Sequence, residues 1–173
     1  MNETKPSPTV SLRPLQDEDR FAIIEMITDP NVNKTYMLPS FDSKEEIDNL
    51  FVRLKRLSED RNRFAFGIYS SGLLVGYINE VSKEGNSIEI GYFISSKEWN
   101  KGYATSALRL AIDMLFKTGY STVRAAHFAE NTASGRVMEK AGMTKTDYVE
   151  TVSYQGEEHR CVYYEVHKPK AIE

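Results

Sequence analysis

The stretch Trp99-Asn-Lys-Gly-Tyr-Ala-Thr-Ser-Ala-Leu108 links a strand-like segment to an amphipathic helix, and its reading decides the fold. The first turn of a helix leaves about four backbone N–H groups without partners and presents the positive end of the helix dipole. A glycine just ahead of that turn lets a ligand approach the backbone closely. Gly102 and its neighbours are therefore suited to cradle a diphosphate, although the same composition also fits a plain tight turn. The helix runs from about Gly102 to Lys117. Its stripe of Ala104, Ala107, Leu108, Ala111, Met114 and Leu115 keeps the spacing of one buried face, and Gly119 stops it.

Upstream, Ser87 to Ser95 alternates with period two. Ile88, Ile90, Tyr92 and Ile94 share one face, and Glu89, Gly91 and Phe93 share the other. This is the third strand of a meander. Phe64, Phe66 and Ile68 mark the first strand, Ser70-Ser-Gly72 turns the chain, Leu73 to Val81 returns, and Lys83-Glu-Gly-Asn86 turns it again. Ahead of the meander, Val10 and Leu12 alternate as a short strand. Asp17-Glu-Asp19 is an acidic start for a helix carrying Phe21, Ile24 and Ile27, which Pro30 is expected to end. Residues 31–42 read as irregular. A second helix starts at Ser43, with Glu46 three residues on, and continues through Ile47, Leu50, Leu54 and Leu57.

Downstream, Thr122 to Phe128 reads as a strand and Asn131 to Ala141 as a short helix stopped by Gly142. Strands at about Met143 to Tyr154 and His159 to His167 are joined at Gln155-Gly-Glu-Glu158. This order predicts a single-domain α+β fold, a mixed and mostly antiparallel central sheet flanked by helices. The domain spans 9–168, with a flexible tail at 1–8 carrying two prolines and another at 169–173.

With these elements in place, Trp99 to Leu108 resembles the acetyl-CoA loop of the GNAT superfamily of N-acetyltransferases, whose pattern is Gln/Arg-x-x-Gly-x-Gly/Ala. Gly102 and Ala104 fill its last two defined positions, while Trp99 stands where glutamine or arginine is usual. Asn131-Thr-Ala-Ser-Gly-Arg-Val-Met-Glu-Lys-Ala-Gly-Met143 is similar to the Asn-x-x-Ser-x-x-x-x-Glu-Lys-x-Gly-Phe segment of the ribosomal-protein N-terminal (Rim-type) branch. With Glu89-Ile-Gly-Tyr92, the resemblance runs from Phe64 to Met143 and covers the flanks by element order only. It is specific for fold and cofactor and poor for substrate.

The resemblance implies an enzyme that moves an acetyl group from acetyl-CoA to an amine acceptor, a peptide N-terminus or a small amine such as a polyamine or aminoglycoside. It implies that the backbone of Phe93, Ile94 and Ser95 pairs with the pantetheine arm. The loop of Asn100, Lys101, Gly102, Tyr103, Ala104 and Thr105 would donate N–H groups to the pyrophosphate. Asn131 and Ser134 would hydrogen-bond the arm or the thiol end, although both residues are also expected at any helix N-terminus.

Acetyl transfer from a thioester needs a neutral amine, a place for the developing oxyanion and a proton for the departing thiolate. Glu89 is the first candidate for the base, with an ordinary surface glutamate as the alternative reading. A backbone N–H near Ile94 would hold the oxyanion. Many relatives carry a tyrosine in the helix after the second motif to protonate the thiolate, but Met138 stands there, so Ser134 or a water would substitute. Tyr36, Tyr148 and Tyr154 carry no catalytic assignment.

Composition narrows the partners. The chain has 173 residues, 40% of them hydrophobic, and 22 basic against 25 acidic residues, a formal charge of −3. That balance gives no electrostatic footprint for nucleic acid. No apolar run approaches the ~20 residues of a membrane span, and a cytoplasmic protein is expected. Cys161 is the only cysteine and reads as packing rather than as a reactive thiol. His127, His159 and His167 have no paired spacing, so no metal is expected. No Gly-x-Ser-x-Gly elbow or Walker-type loop is present. A non-catalytic acyl-CoA-binding module is the reading from another class, and the tyrosine-rich last strand offers an edge on which a second copy could form a homodimer.

Overall fold

Alternating faces in the meander and a single apolar stripe in each helix leave one arrangement that buries them all, a sheet with helices on both faces. The computed structural model describes residues 7–170. The first six residues of the expected 1–8 tail and the last three of the expected 169–173 tail lie outside them. Among the described residues seven strands form one sheet in the order β1-β2-β3-β4-β5-β7-β6. They are β1 (Ser11–Arg13), β2 (Ala65–Ser70), β3 (Leu73–Glu84), β4 (Ser87–Ile94), β5 (Thr122–Phe128), β6 (Thr144–Tyr154) and β7 (Glu157–His167). All neighbours are antiparallel except β4 and β5. The five α-helices of the described residues are α1 (Arg20–Ile27), α2 (Pro30–Asn33), α3 (Lys44–Glu59), α4 (Tyr103–Lys117) and α5 (Thr132–Lys140).

The two faces of β4 serve two cores, as the alternation of Ser87 to Ser95 requires. Ile88, Ile90 and Ile94 pack with Leu108, Ile112 and Leu115 of α4 and with Met138 of α5. Phe93 turns the other way and packs with Ile23 and Ile27 of α1, Phe51 of α3 and Tyr77 of β3. Removing these apolar side chains from water is the main stabilising term, about 25 cal/mol per Å² buried.

Strand β3 runs on to Glu84 and β7 starts at Glu157, both inside the expected turns, and two helix boundaries also differ from expectation. The acidic run Asp17–Asp19 forms a 3-10 turn that leads into α1 rather than its first turn. Pro30 does not end α1, which stops at Ile27. It instead occupies the first position of the short helix α2, capped by Asp29, whose Oδ1 accepts from Asn31 N–H at 2.8 Å. Proline suits that position because its missing N–H would have no helical partner there. Residues 31–42, expected to be irregular, therefore begin with a helical turn. Among the described residues no helix is long and apolar enough to cross a membrane.

Gly76 of β3 sits where the sheet can accept no side chain. A Cβ there would lie 2.3 Å from the Phe93 carbonyl oxygen and 2.7 Å from Ile94 Cδ1. Gly76→Ala is expected to force β3 and β4 apart at a cost of about 1–3 kcal/mol, the range for overpacking a filled site. A thermal melt should show Tm falling by several degrees, and an unchanged Tm would mean that the strands slide without cost.

Candidate active site

The geometry of the site begins where two strands stop pairing. β4 pairs with β3 from Ser87 to Ile94, but with β5 only through Ser87–Thr122, Ile88–Val123 and Glu89–Arg124. Beyond Glu89, β4 and β5 diverge. β5 keeps only β7 as a partner, through to Phe128. A gap thus opens through the sheet, edged by Ile90 to Ile94 on one side.

Backbone direction alternates along a strand, so one known bond fixes the others. The Ser95 N–H donates to the Val75 carbonyl at 2.9 Å, toward β3. Phe93 consequently points its backbone groups at β3, and Tyr92 and Ile94 point theirs into the gap. The Ile94 carbonyl is occupied by the Trp99 indole N–H, at 2.9 Å. This narrows the expectation for Phe93, Ile94 and Ser95, because the groups that face the gap are the Ile94 N–H and the backbone of Tyr92. It also gives Trp99, where the family pattern has glutamine or arginine, a structural task in closing the end of β4.

After a 3-10 turn at Ser96–Glu98, Asn100 takes φ 61° and Gly102 φ 88°. Gly102 is the N-cap of α4, with no side-chain cap, and its carbonyl accepts from Ser106 N–H at 3.1 Å. The N–H groups of Tyr103, Ala104 and Thr105 belong to the first turn, which the helix itself cannot satisfy. Lys101 Nζ is bound to Glu98 Oε2 at 2.8 Å, so the loop's fit to phosphate rests on backbone and dipole more than on this side chain. Pro8 lies against Gly102, its Cδ 3.0 Å from where a Cβ would be. Ser96 Oγ donates to Asp29, and Lys97 pairs with Glu25, tying this loop to α1 and α2.

Glu89, at the apex of the gap, is half-buried on the face opposite α4 and α5. Ser82 Oγ donates to its Oε2 at 3.2 Å. Burial raises its pKa above the ordinary carboxylate value, and the charge of Glu150 adds to the rise while Ser82 and Arg124 oppose it. On this face α1 and α3 pack against β2 and β3. The side chains of Arg124, Tyr163, Glu165, Tyr148 and Glu150 share the remaining part. Tyr163 donates to Glu150 at 2.7 Å, Tyr148 packs edge-on to Tyr163 with centroids 4.9 Å apart, and Arg124 pairs with Glu165 at 3.6 Å. Three carboxylates against one guanidinium make this a surface for a cation.

On the opposite face, Asn131 caps α5 by accepting from Ser134 N–H at 3.4 Å, the cap that its residue type already suggested. Ser134 Oγ lies 3.0 Å from the Tyr92 hydroxyl, a contact the sequence reading missed, since nothing local links residues so far apart. Met138 is buried in the core and has no proton to give. Cys161 is buried, and burial pushes its thiol up, in keeping with packing. Among the described residues no three His, Cys, Asp or Glu side chains gather as metal ligands.

Segment 31–42 and the last hairpin meet at Tyr154. Its hydroxyl accepts from Leu38 N–H at 3.2 Å and donates to the Asn33 carbonyl at 2.9 Å. A cleft of about 390 Å3 beside it is lined by Lys34, Glu130, Tyr154, Gln155, Glu157 and His159. A separate concavity of about 450 Å3, lined by residues including Pro14, Ser58 and Arg63, holds none of the expected site residues. In the same segment Tyr36 donates to Asn79 Oδ1 at 2.8 Å. Burial pushes its pKa up to about 12, so it keeps its proton at neutral pH. Tyr154→Phe removes the shared anchor, worth about 1 kcal/mol for a net hydrogen bond. A thermal melt should show Tm falling by about 2–4 °C, and an unchanged Tm would mean that the other contacts of the segment hold it in place.

Known proteins share this architecture. Residues 9–144 match the family model described as acetyltransferase (GNAT) domain. An uncharacterized N-acetyltransferase of Bacillus subtilis, YoaA, is 26% identical over 165 residues, covering 92% of this chain and 93% of that protein. A spermidine N-acetyltransferase of Vibrio cholerae, solved with CoA and spermine, superposes with a TM-score of 0.77 at 18% identity over 91% of this chain and 95% of that one. RimL, a ribosomal alpha-N-protein acetyltransferase solved with CoA, superposes with a TM-score of 0.76 at 16% identity over 93% and 95%. At such identities the two superpositions speak for the fold alone.

Proposed function

Belonging to the acetyltransferase (GNAT) family, the chain is an N-acetyltransferase, and we propose that it moves acetyl from acetyl-CoA directly to a primary amine, that of a peptide or ribosomal-protein N-terminus. The observation that carries this reading is the gap that opens in the sheet beyond Glu89. It lets one ligand be addressed from both faces, by Glu89 on one and Ser134 on the other, which a continuous sheet would forbid.

In this reading the α4 N-terminus from Asn100 to Thr105 holds the diphosphate, and the pantetheine arm lies along the backbone of Tyr92 and Ile94. The Ile94 N–H polarises the thioester carbonyl and holds the oxyanion as nitrogen bonds the carbonyl carbon. Glu89, ionised, takes the amine proton directly or through one water. The carbon–sulfur bond then breaks with its electron pair on sulfur, and Ser134 stabilises the thiolate by donating a hydrogen bond. Asn131 holds Ser134 by capping its helix. No covalent enzyme intermediate is required.

Acceptor class follows from amine chemistry. A peptide α-amine has a pKa of about 7.7–8.0, whereas a lysine-like alkylamine lies near 10.4. A single carboxylate suits the former, which is already about half neutral near pH 8. The open sheet face beside Tyr148 and Tyr163 also gives a polypeptide room. A polyamine or aminoglycoside is the second reading, favoured by the excess of Glu89, Glu150 and Glu165 over Arg124, and the structural neighbours include an enzyme of each kind. The test is CoA release with three acceptors: a peptide with a free α-amine, the same peptide N-blocked but carrying lysine, and spermidine. The free α-amine should give the highest kcat/KM by at least about 10-fold, a difference of one pKa-sized step in free energy. A preference for spermidine would shift the acceptor to the second reading, and no release with any amine would sink the first and second alike.

A further inference from the structure

Two hydroxyls meet across the gap at the first turn of α5. Tyr92 leaves β4 on the face of Ile88, Ile90 and Ile94, and its oxygen lies 3.0 Å from Ser134 Oγ. Among the hydrogen bonds of the described residues neither hydroxyl has a second partner. Tyr92 thus bridges from β4 to α5 where the strands have parted. We propose that Tyr92 is a positioning residue for Ser134, donating its phenolic proton to Ser134 Oγ so that the serine's own O–H is turned into the gap, toward the sulfur of the departing CoA. This rests on the reading of Ser134 as the group that stabilises the thiolate.

The direction of the bond follows from the two hydroxyls. A phenol, with a pKa near 10, is a much stronger donor than an alkyl alcohol, and the alcohol oxygen is the better acceptor. Burial pushes the Tyr92 pKa up to about 12, because a phenolate in the core would lose its solvation. The proton therefore stays on Tyr92 throughout the neutral range. Serine has one proton to give. Were it spent on Tyr92, the serine would present only lone pairs to a thiolate, which would repel it. With Tyr92 donating, the two bonds form a chain in which each strengthens the next. Met138, one turn along α5, is buried and supplies no competing donor.

No proton is lost by Tyr92 or Ser134 in this scheme. The amine proton goes to Glu89, sulfur keeps the electron pair of the broken carbon–sulfur bond, and Glu89 later releases its proton to the medium, from which the thiolate regains one. What the hydroxyl pair changes is the acidity of bound CoA, whose thiol otherwise resembles a cysteine at about 8.5.

The test reads that acidity. CoA bound to the wild type and to Tyr92→Phe, Ser134→Ala and the double variant is titrated by the ultraviolet absorbance of the thiolate. Ser134→Ala should raise the bound thiol pKa and lower kcat about 10-fold, as loss of a hydrogen bond to a charged group does, and Tyr92→Phe should move both in the same direction by less, since it leaves the serine its proton but no longer aims it. The double variant should fall no further than Ser134→Ala. CoA affinity at low pH, where the thiol is protonated in every case, should not change, which separates this effect from damage to the fold. Ser134→Thr, which keeps the accepting hydroxyl, should keep the wild-type thiol pKa, and a fluorotyrosine in place of Tyr92, a stronger donor of the same shape, should lower it and serves if Tyr92→Phe does not fold. If Ser134→Ala raises the pKa and Tyr92→Phe does not, the positioning role is wrong and the Ser134 reading stands. If Ser134→Ala changes nothing, the reading beneath it is wrong. Losses that add in the double variant would make Tyr92 an independent donor and overturn the proposal.

Discussion

Glu89→Gln is expected to lower kcat for amine acetylation by about 100-fold, the lower end of what general-base catalysis contributes, with the Kd for acetyl-CoA unchanged. The substitution keeps the shape and the acceptor for Ser82 Oγ and removes only the capacity to take a proton. Its pH dependence carries the stronger test. The base works ionised, so the wild-type rate must fall as pH drops through the Glu89 pKa, and burial beside Glu150 holds that pKa above the ordinary glutamate range. In Glu89→Gln this acid limb should vanish from kcat, leaving in kcat/KM only the fall that protonation of the amine itself causes. The stability effect runs in the opposite direction. A carboxylate whose pKa is raised on folding contributes stability that is fully present below its unfolded pKa and is lost as pH rises through the folded one. At neutral pH the glutamine variant should therefore melt no lower than the wild type. A slow enzyme with an intact Tm and no acid limb in kcat identifies the base. An unchanged rate profile would remove Glu89 from the mechanism and leave water as the proton acceptor.

What could be read in advance depended on whether the cause was local. The alternation of Ile88, Ile90 and Ile94 against Phe93 was legible because each face meets a different core, and the stripe of α4 was legible because one helix face is buried. Pro30 was misread because proline stops one helix as readily as it starts another, and the cap at Asp29 decides between them. The gap beyond Glu89 has no signature in composition, since it depends on where two parallel strands diverge in space. Tyr92 and Ser134 are 42 residues apart, and Tyr92 was legible only as one more member of an apolar face. Trp99 shows how a departure from a family pattern can carry structure, for its indole N–H holds the Ile94 carbonyl and so helps decide which backbone groups of β4 face the gap.

Gly102→Glu is expected to abolish acetyl-CoA binding, lowering affinity by at least about 100-fold, since each 1.4 kcal/mol is a factor of ten. Three effects act in the same direction. A left-handed backbone at φ 88° costs a non-glycine residue about 1–2 kcal/mol. The added Cβ would press on Pro8 at 3.0 Å. The new carboxylate would sit at the end of α4 where the dipole and unpaired N–H groups otherwise attract phosphate, replacing attraction with repulsion. Gly102→Ala separates the contributions, because it brings the first two without the charge. Alanine should weaken binding about 10-fold, because the free loop relieves the strain by leaving the left-handed conformation that the bound form needs, and glutamate should remove the rest, with the difference shrinking in high salt as the repulsion is screened. Calorimetric titration of the three proteins, each checked for an intact melt, distinguishes the outcomes. Equal losses in alanine and glutamate would mean that backbone shape alone builds the cradle. Unimpaired binding in both would mean that the diphosphate does not lie on α4, so that the family membership would stand while the cofactor site would have to be sought elsewhere along the gap.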